Sequence, residues 1–255
     1  MRPCTEENIL QTHHQLHSPC SVLSPDEYSI KSCTLVRLLQ STERSLCKLA
    51  IIMIPYIICV AVQTDRNAVQ SIWPTHAIPY LISAELRKQS SRTNDILSAT
   101  RMVSDQTCVT FHLRTFETNF LHFKNSPGCS SYVGFIGGDQ AVYIGSVCTV
   151  GNIAHELLHA LGFYHEHTRM DRDSYINIIK NNIIKGTEQN FVKRHGDTLN
   201  VPYDTASILH YGRAYFSSNG SPTIVPLHTA KDMGQRERLT QLDILRVRLL
   251  YQCGV

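Results

Sequence analysis

Residues 155–165 read His-Glu-Leu-Leu-His-Ala-Leu-Gly-Phe-Tyr-His, and no other stretch of the chain restricts its possible folds so tightly. On a helix, residues i and i+4 stand one above the other on the same face, so His155 and His159 can bring both imidazoles to a single Zn²⁺ at about 2.0–2.1 Å. Glu156 follows the first of them, out of line with the pair, where its carboxylate can take a proton from a metal-activated water. Gly162 ends the helix, because a residue without Cβ accepts the positive φ of a sharp reversal, and the turn returns His165 to the metal. The pattern therefore predicts a helix that starts near residues 149–152 and carries a three-histidine centre. By chance a bare His-Glu-x-x-His arises in a chain of this length at ~3%, and Gly162, His165 and Glu166 at fixed offsets lower that by a further ~8000-fold.

The chain has 255 residues, 42% of them hydrophobic, enough for one enzyme-sized domain with a modest N-terminal extension. Its formal net charge of +3 leaves no basis for a nucleic-acid partner, which would need clustered Lys and Arg. Five cysteines (Cys4, Cys20, Cys33, Cys47, Cys59) precede residue 66 and four (Cys108, Cys129, Cys148, Cys253) follow it. The even set suits two disulfides in an oxidising compartment, since close Cys-x-x-Cys metal pairs are absent; spacing alone leaves all three pairings open. Residues 49–62 (LAIIMIPYIICVAV) are uncharged, follow Arg44 and Lys48, and resemble a secretory hydrophobic region, short for a membrane span and interrupted by Pro55. About 45 residues precede them, far for a cleaved signal. A mis-chosen start is the preferred explanation, with a signal anchor or an ordinary buried segment as alternatives.

Beyond residue 66 the pattern is mixed. Residues 77–83 (AIPYLIS), 108–114 (CVTFHLR) and 120–123 (FLHF) read as strands, and 93–105 as a helix after an Asn/Asp-rich start. Gly137-Gly138 break the chain before a β-rich run ending at Ile144, and a last helix is expected over 240–251 with Leu242, Leu245, Leu249 and Leu250 facing the core.

The stretch HELLHALGFYHEHTRMDRD, residues 155–173, resembles the astacin family of zinc metalloendopeptidases, and the likeness runs on through residues 67–253. It includes Asn67-Ala68-Val69 after Arg66, Cys129-Ser130-Ser131-Tyr132-Val133-Gly134, Gly137-Gly138-x-Gln140, and Ser207-Ile208-Leu209-His210-Tyr211-Gly212. Pro222-Thr223-Ile224-Val225-Pro226 and Gly234-Gln235-Arg236 resemble the egg-hatching and egg-envelope members. The resemblance implies an α+β metzincin fold: an upper subdomain with a twisted mixed sheet and two helices, and a loop-rich lower subdomain with a C-terminal helix. It further implies one zinc held by His155, His159 and His165, Glu156 as general base, and Tyr211 as an extra ligand that can swing away to stabilise the oxyanion. Cys108 would pair with Cys253 and Cys129 with Cys148, and Glu166 would receive the amine freed by a cut after Arg66.

Four departures from the family accompany the match. Leu209 replaces the Met under the metal, Phe135 stands before the Gly-Gly segment where the family often has Arg, a change that could alter the substrate groove, residues 1–66 contain no Phe-x-Gly-Asp, and two N-terminal cysteines of many hatching enzymes are missing. The expected protein is a secreted monomer with residues 1–66 as extension (signal about 46–62 and short propeptide, or a wrong start) and 67–255 as peptidase domain. Its partners would be protein or peptide substrates, extended substrate pairing with the edge strand near residues 141–144, without stable membrane association unless 49–62 anchor it. The rival reading is a catalytically silent secreted binding protein with the same fold, motivated by Leu209 and the irregular N-terminal region.

Overall fold

A computed structural model describes Ala68 and residues 71–254, so the expectations for residues 1–66 lie outside the described residues. The upper half is built on a five-stranded sheet of β1 (Ala77–Ile82), β2 (Thr110–Leu113), β3 (Phe120–Asn125), β4 (Ser130–Ser131) and β5 (Asp139–Ile144), in the order β2-β1-β3-β5-β4. The first four strands in that order run parallel and β4 is antiparallel to β5, which makes the sheet mixed as expected. Alternation decides its faces: Ile78, Tyr80, Ile82, Leu121, Phe123, Val142 and Ile144 are buried in the main core, while His122, Lys124 and Tyr143 are only half-buried.

Between β1 and β2 come the short α1 (Ala84–Arg87) and α2 (Ser90–Ser104). The latter starts three residues ahead of the expected position, although its N-cap Gln89 makes no side-chain capping bond. A tertiary anchor replaces the local cap: Arg92, in the first turn, donates to the carbonyls of Cys148 at 2.6 Å and Ser146 at 3.1 Å. The strand expected over 108–114 shrinks to β2, since Cys108 is bonded to Cys253 and Val109 turns into the core. Cys129 is joined to Cys148, so both disulfides follow the pairing that the resemblance implied.

α3 (Val150–Ala160) begins where the motif placed it. The Thr149 hydroxyl accepts from the Asn152 N–H while the Asn152 side chain accepts from the Thr149 N–H, so two of the helix's orphan donors are satisfied reciprocally. The helix packs on α2 and ends before Gly162, whose φ of 116° only glycine adopts readily. The lower half is mostly irregular, with a two-stranded antiparallel pair, β6 (Ile176–Ile178) and β7 (Ile224–Pro226), over a second core of Ile176, Ile183, Phe191, Tyr203, Tyr211 and Ile224.

α4 (Gln241–Leu250) closes the chain and corrects the expected core face. Leu245 and Leu249 are 40% and 44% exposed, whereas Asp243, Ile244, Arg246 and Val247 are buried. The helix is rotated because its Asp and Arg have partners in the interior: Asp243 binds Ser207 and Ile208, and Arg246 binds Glu166. Buried charge that is paired outranks the leucine stripe in setting the docked face.

Candidate metal centre

The α3 face carrying His155 and His159 and the turn after Gly162 carrying His165 bring three Nε2 atoms together. The separations are 3.0 Å between His155 and His159, 3.1 Å between His159 and His165, and 3.2 Å between His155 and His165. A tetrahedral ion with bonds of about 2.0–2.1 Å would hold such nitrogens about 3.3 Å apart, so the triangle is close to the size zinc requires. The other ring nitrogens of the helical pair are committed: His155 Nδ1 donates to the Ile208 carbonyl and His159 Nδ1 to the Phe163 carbonyl, each at 2.7 Å. Those bonds fix the tautomer and direct the Nε2 lone pairs at one point. Burial, with help from neighbouring positive groups, holds His155 and His165 well below the usual imidazole range, and burial brings His159 down to about 4. All three are neutral near pH 7, the form in which imidazole binds metal. Among the described residues this is the one cluster of such side chains with metal-binding spacing.

Glu156 is 3% exposed on the same helix. Its backbone carbonyl accepts from Ser131 Oγ at 2.8 Å, and the His159 carbonyl accepts from the Gly134 N–H at 2.9 Å, so the segment through β4 is fastened to the metal helix. β4 ends the sheet order, while β5 is paired with β3 along its length and with β4 at Val142 and Tyr143. An extended substrate beside residues 141–144, the edge expected from sequence, therefore has no free edge there; the sheet's outer edge on this side is β4. Phe135, half-buried, meets the Trp73 ring edge-on at 4.9 Å and packs beside the core.

Tyr211 lies in an aromatic nest. Its ring stacks on His167 at 3.9 Å and packs against His165 at 4.6 Å and Tyr215 at 5.1 Å. Leu209 is 1% exposed in the main core. Glu166, far from being a solvated helix-end charge, has no exposed surface; it pairs with Arg246 and Arg169 and accepts from the Asp204 N–H at 2.8 Å. Sequence reasoning missed His167, His210, Ser207 and Asp243 as parts of the surroundings. The Thr240-x-x-Asp243 capping box was the one local signal that could have marked the last of these.

The family model for the Astacin peptidases matches residues 65–252. The zinc metalloproteinase nas-14 of Caenorhabditis elegans is 40% identical over 195 residues, which is 72% of this chain but only 38% of that protein. The low choriolytic enzyme of Oryzias latipes is 40% identical over 189 residues, 71% of this chain and 69% of its own length. Among solved structures, high choriolytic enzyme 1, a hatching-enzyme zinc protease of the same fish, superposes with a TM-score of 0.66 at 39% identity, covering 75% of this chain and 95% of that one. Together with three imidazoles on the His-Glu-x-x-His helix and its Gly turn, these matches show that the chain belongs to the Astacin family.

Proposed function

We propose that the protein is a secreted zinc endopeptidase that hydrolyses extracellular proteins, with egg-envelope proteins as the substrate class its relatives suggest. The convergence of three neutral, buried Nε2 atoms carries this reading, because it suits a borderline cation and little else. His155, His159 and His165 would hold one Zn²⁺, which when bound supplies Lewis-acid polarisation and makes water easier to deprotonate. Glu156 takes the proton from the attacking water and passes it to the leaving amine; Tyr211 donates its hydroxyl to the developing oxyanion. Substrate lies extended along β4, whose position relative to Glu156 is fixed by the Ser131 and Gly134 bonds to α3. The two disulfides support an oxidising compartment, and no helix among the described residues is long and apolar enough to cross a membrane.

The test separates metal binding from proton transfer. Glu156→Gln is expected to retain one zinc per molecule while peptide hydrolysis falls by several orders of magnitude, and His159→Ala to lose both. Full activity in a zinc-loaded Glu156→Gln protein would remove the base from the mechanism. A zinc-loaded wild type that cleaves nothing would favour the silent binder instead.

A further inference from the structure

The buried carboxylate of Asp243 stands at the start of α4, on the far side of the turn that receives His155. Its exposure is 2%. One carboxylate oxygen accepts the Ser207 hydroxyl at 2.6 Å, and the other accepts the backbone N–H groups of Ile208 and Thr240, both at 3.0 Å. Ser207 Oγ, having donated its proton to Asp243, accepts the N–H of Leu209 at 3.0 Å. That N–H belongs to the same peptide unit as the Ile208 carbonyl, and it is this carbonyl that accepts His155 Nδ1 at 2.7 Å.

The bonds form one directed chain: carboxylate, hydroxyl, peptide, imidazole. Each member donates toward the carboxylate and accepts from the side of the metal. Hydrogen bonds so ordered polarise one another, the more strongly where water is excluded, so negative charge on Asp243 increases the acceptor strength of the Ile208 carbonyl. A stronger acceptor at Nδ1 makes the imidazole a better donor through Nε2 and fixes the ring plane, the same service a carboxylate gives when it touches a metal-ligating histidine directly. We infer that Asp243 is a positioning residue for the metal centre, acting on His155 through the Ser207 hydroxyl and the 208–209 peptide group. The inference rests on the zinc reading given above and assigns Asp243 no contact with substrate or metal.

The competing role is purely structural, since Asp243 is also the reciprocal partner of the α4 N-cap. The two roles can be separated because the Thr240 hydroxyl takes part in the cap alone: it accepts the Asp243 N–H and donates to Asp204, away from the relay.

The experiment measures zinc dissociation constants by chelator competition, with thermal unfolding of the metal-free proteins beside it. Ser207→Ala and Asp243→Asn are each expected to weaken zinc binding about tenfold, the lower end of what outer-shell partners contribute. The double variant should be no weaker than either single one, because both cut one chain. Thr240→Val should lower the unfolding temperature and leave zinc affinity at the wild-type value. Unchanged affinity in Ser207→Ala and Asp243→Asn, multiplying effects in the double variant, or equal zinc loss in Thr240→Val would each overturn the inference. Should Asp243→Asn fail to fold, Ser207→Ala, which removes no charge, decides alone. A wild type that binds no zinc would instead refute the proposed function.

Discussion

Gly151 of α3 meets the backbone of Arg236 so closely that a Cβ built on the glycine would lie 1.8 Å from the Arg236 carbonyl oxygen and 2.2 Å from its carbonyl carbon. The segment it touches braces the turn below the metal: Arg236 donates to the His210 carbonyl at 3.0 Å, and a Cβ on Gly234 would lie 2.4 Å from Gly212 Cα. Gly151→Ala sets two effects against each other. Alanine gains about 1 kcal/mol of helix propensity, but backbone has no rotamer by which to retreat, and overpacking typically costs about 1–3 kcal/mol or more. A net loss of roughly 2 kcal/mol in urea unfolding is expected, with weakened metal retention. A stability equal to wild type would mean that the segment at Arg236 yields freely.

What the sequence revealed and what it withheld follow from how far apart the interacting residues lie. The metal helix, its reciprocal cap and its glycine stop are written within residues 149–165, so local geometry is enough to place three ligands. α4 is different. A leucine stripe at helical spacing suggested its inner face, yet the helix docks through Asp243 and Arg246, whose partners Ser207 and Glu166 are 36 and 80 residues away. No periodicity in a single segment records such pairs. β4, at two residues, is too short for an alternation pattern, so the sheet edge was assigned to its neighbour β5.

Leu209 occupies the position where the family has Met, and it is buried at 1% exposure with its N–H on Ser207 and its carbonyl accepting from the Glu166 N–H. Both bonds are made by the Leu209 backbone and are indifferent to its side chain. Leu209→Met is close to volume-conserving and should shift stability by less than about 1.5 kcal/mol, with turnover little changed. A hundredfold rise in turnover on introducing Met would identify the natural site as impaired.

The pH dependence of the metal-free protein has a definite sign. Burial holds His159 and His210 at about 4, against an ordinary value of 6.5. The neutral form of His210 is also the one its partners require, since Nδ1 donates to the Tyr211 carbonyl and Nε2 accepts from the buried Tyr203 hydroxyl. With folded values depressed, the unfolded chain takes up protons first, so stability is full above about pH 6.5 and is lost as pH falls toward 4. Each such histidine contributes a slope of up to about 1.4 kcal/mol per pH unit in that window. Asp243, whose carboxyl burial raises above its ordinary 3.8, acts in the opposite sense, because as pH falls the native state takes up that proton before the unfolded chain does. Replacing His210 by Gln should lessen the slope between pH 6.5 and 4 whatever it does to absolute stability; an unaltered slope would show that His210 does not contribute.

Activation by a cut after Arg66 is the last expectation, and Arg66 and Asn67 lie outside the described residues. Their neighbour Ala68 is 3% exposed, exchanges backbone hydrogen bonds of 3.0 and 3.1 Å with Asp197, and bridges to Phe163, whose carbonyl holds His159 Nδ1. A freed α-amine, with an ordinary pKa of about 7.7–8.0, would be largely protonated at neutral pH and could join the ion-pair cluster around the Glu166 carboxylate. Glu166→Gln is a poor probe of this, because the carboxylate already neutralises Arg246 and Arg169 in the interior, and removing it should cost about 3–5 kcal/mol whatever the terminus does. The cleaner test lengthens the chain and spares the carboxylate. A form that begins upstream and carries Arg66→Ala, so that it cannot be cut there, is expected to fold, bind zinc, and show lower peptidase activity with about 1–3 kcal/mol less stability than a form beginning at Asn67, owing to the polar groups left unmatched near the terminus. Terminal sequencing of the active enzyme should find Asn67 first. An uncut form with full activity, or an active enzyme that begins elsewhere, would show that the tie between Ala68 and Phe163 orders the site without any help from a free amine.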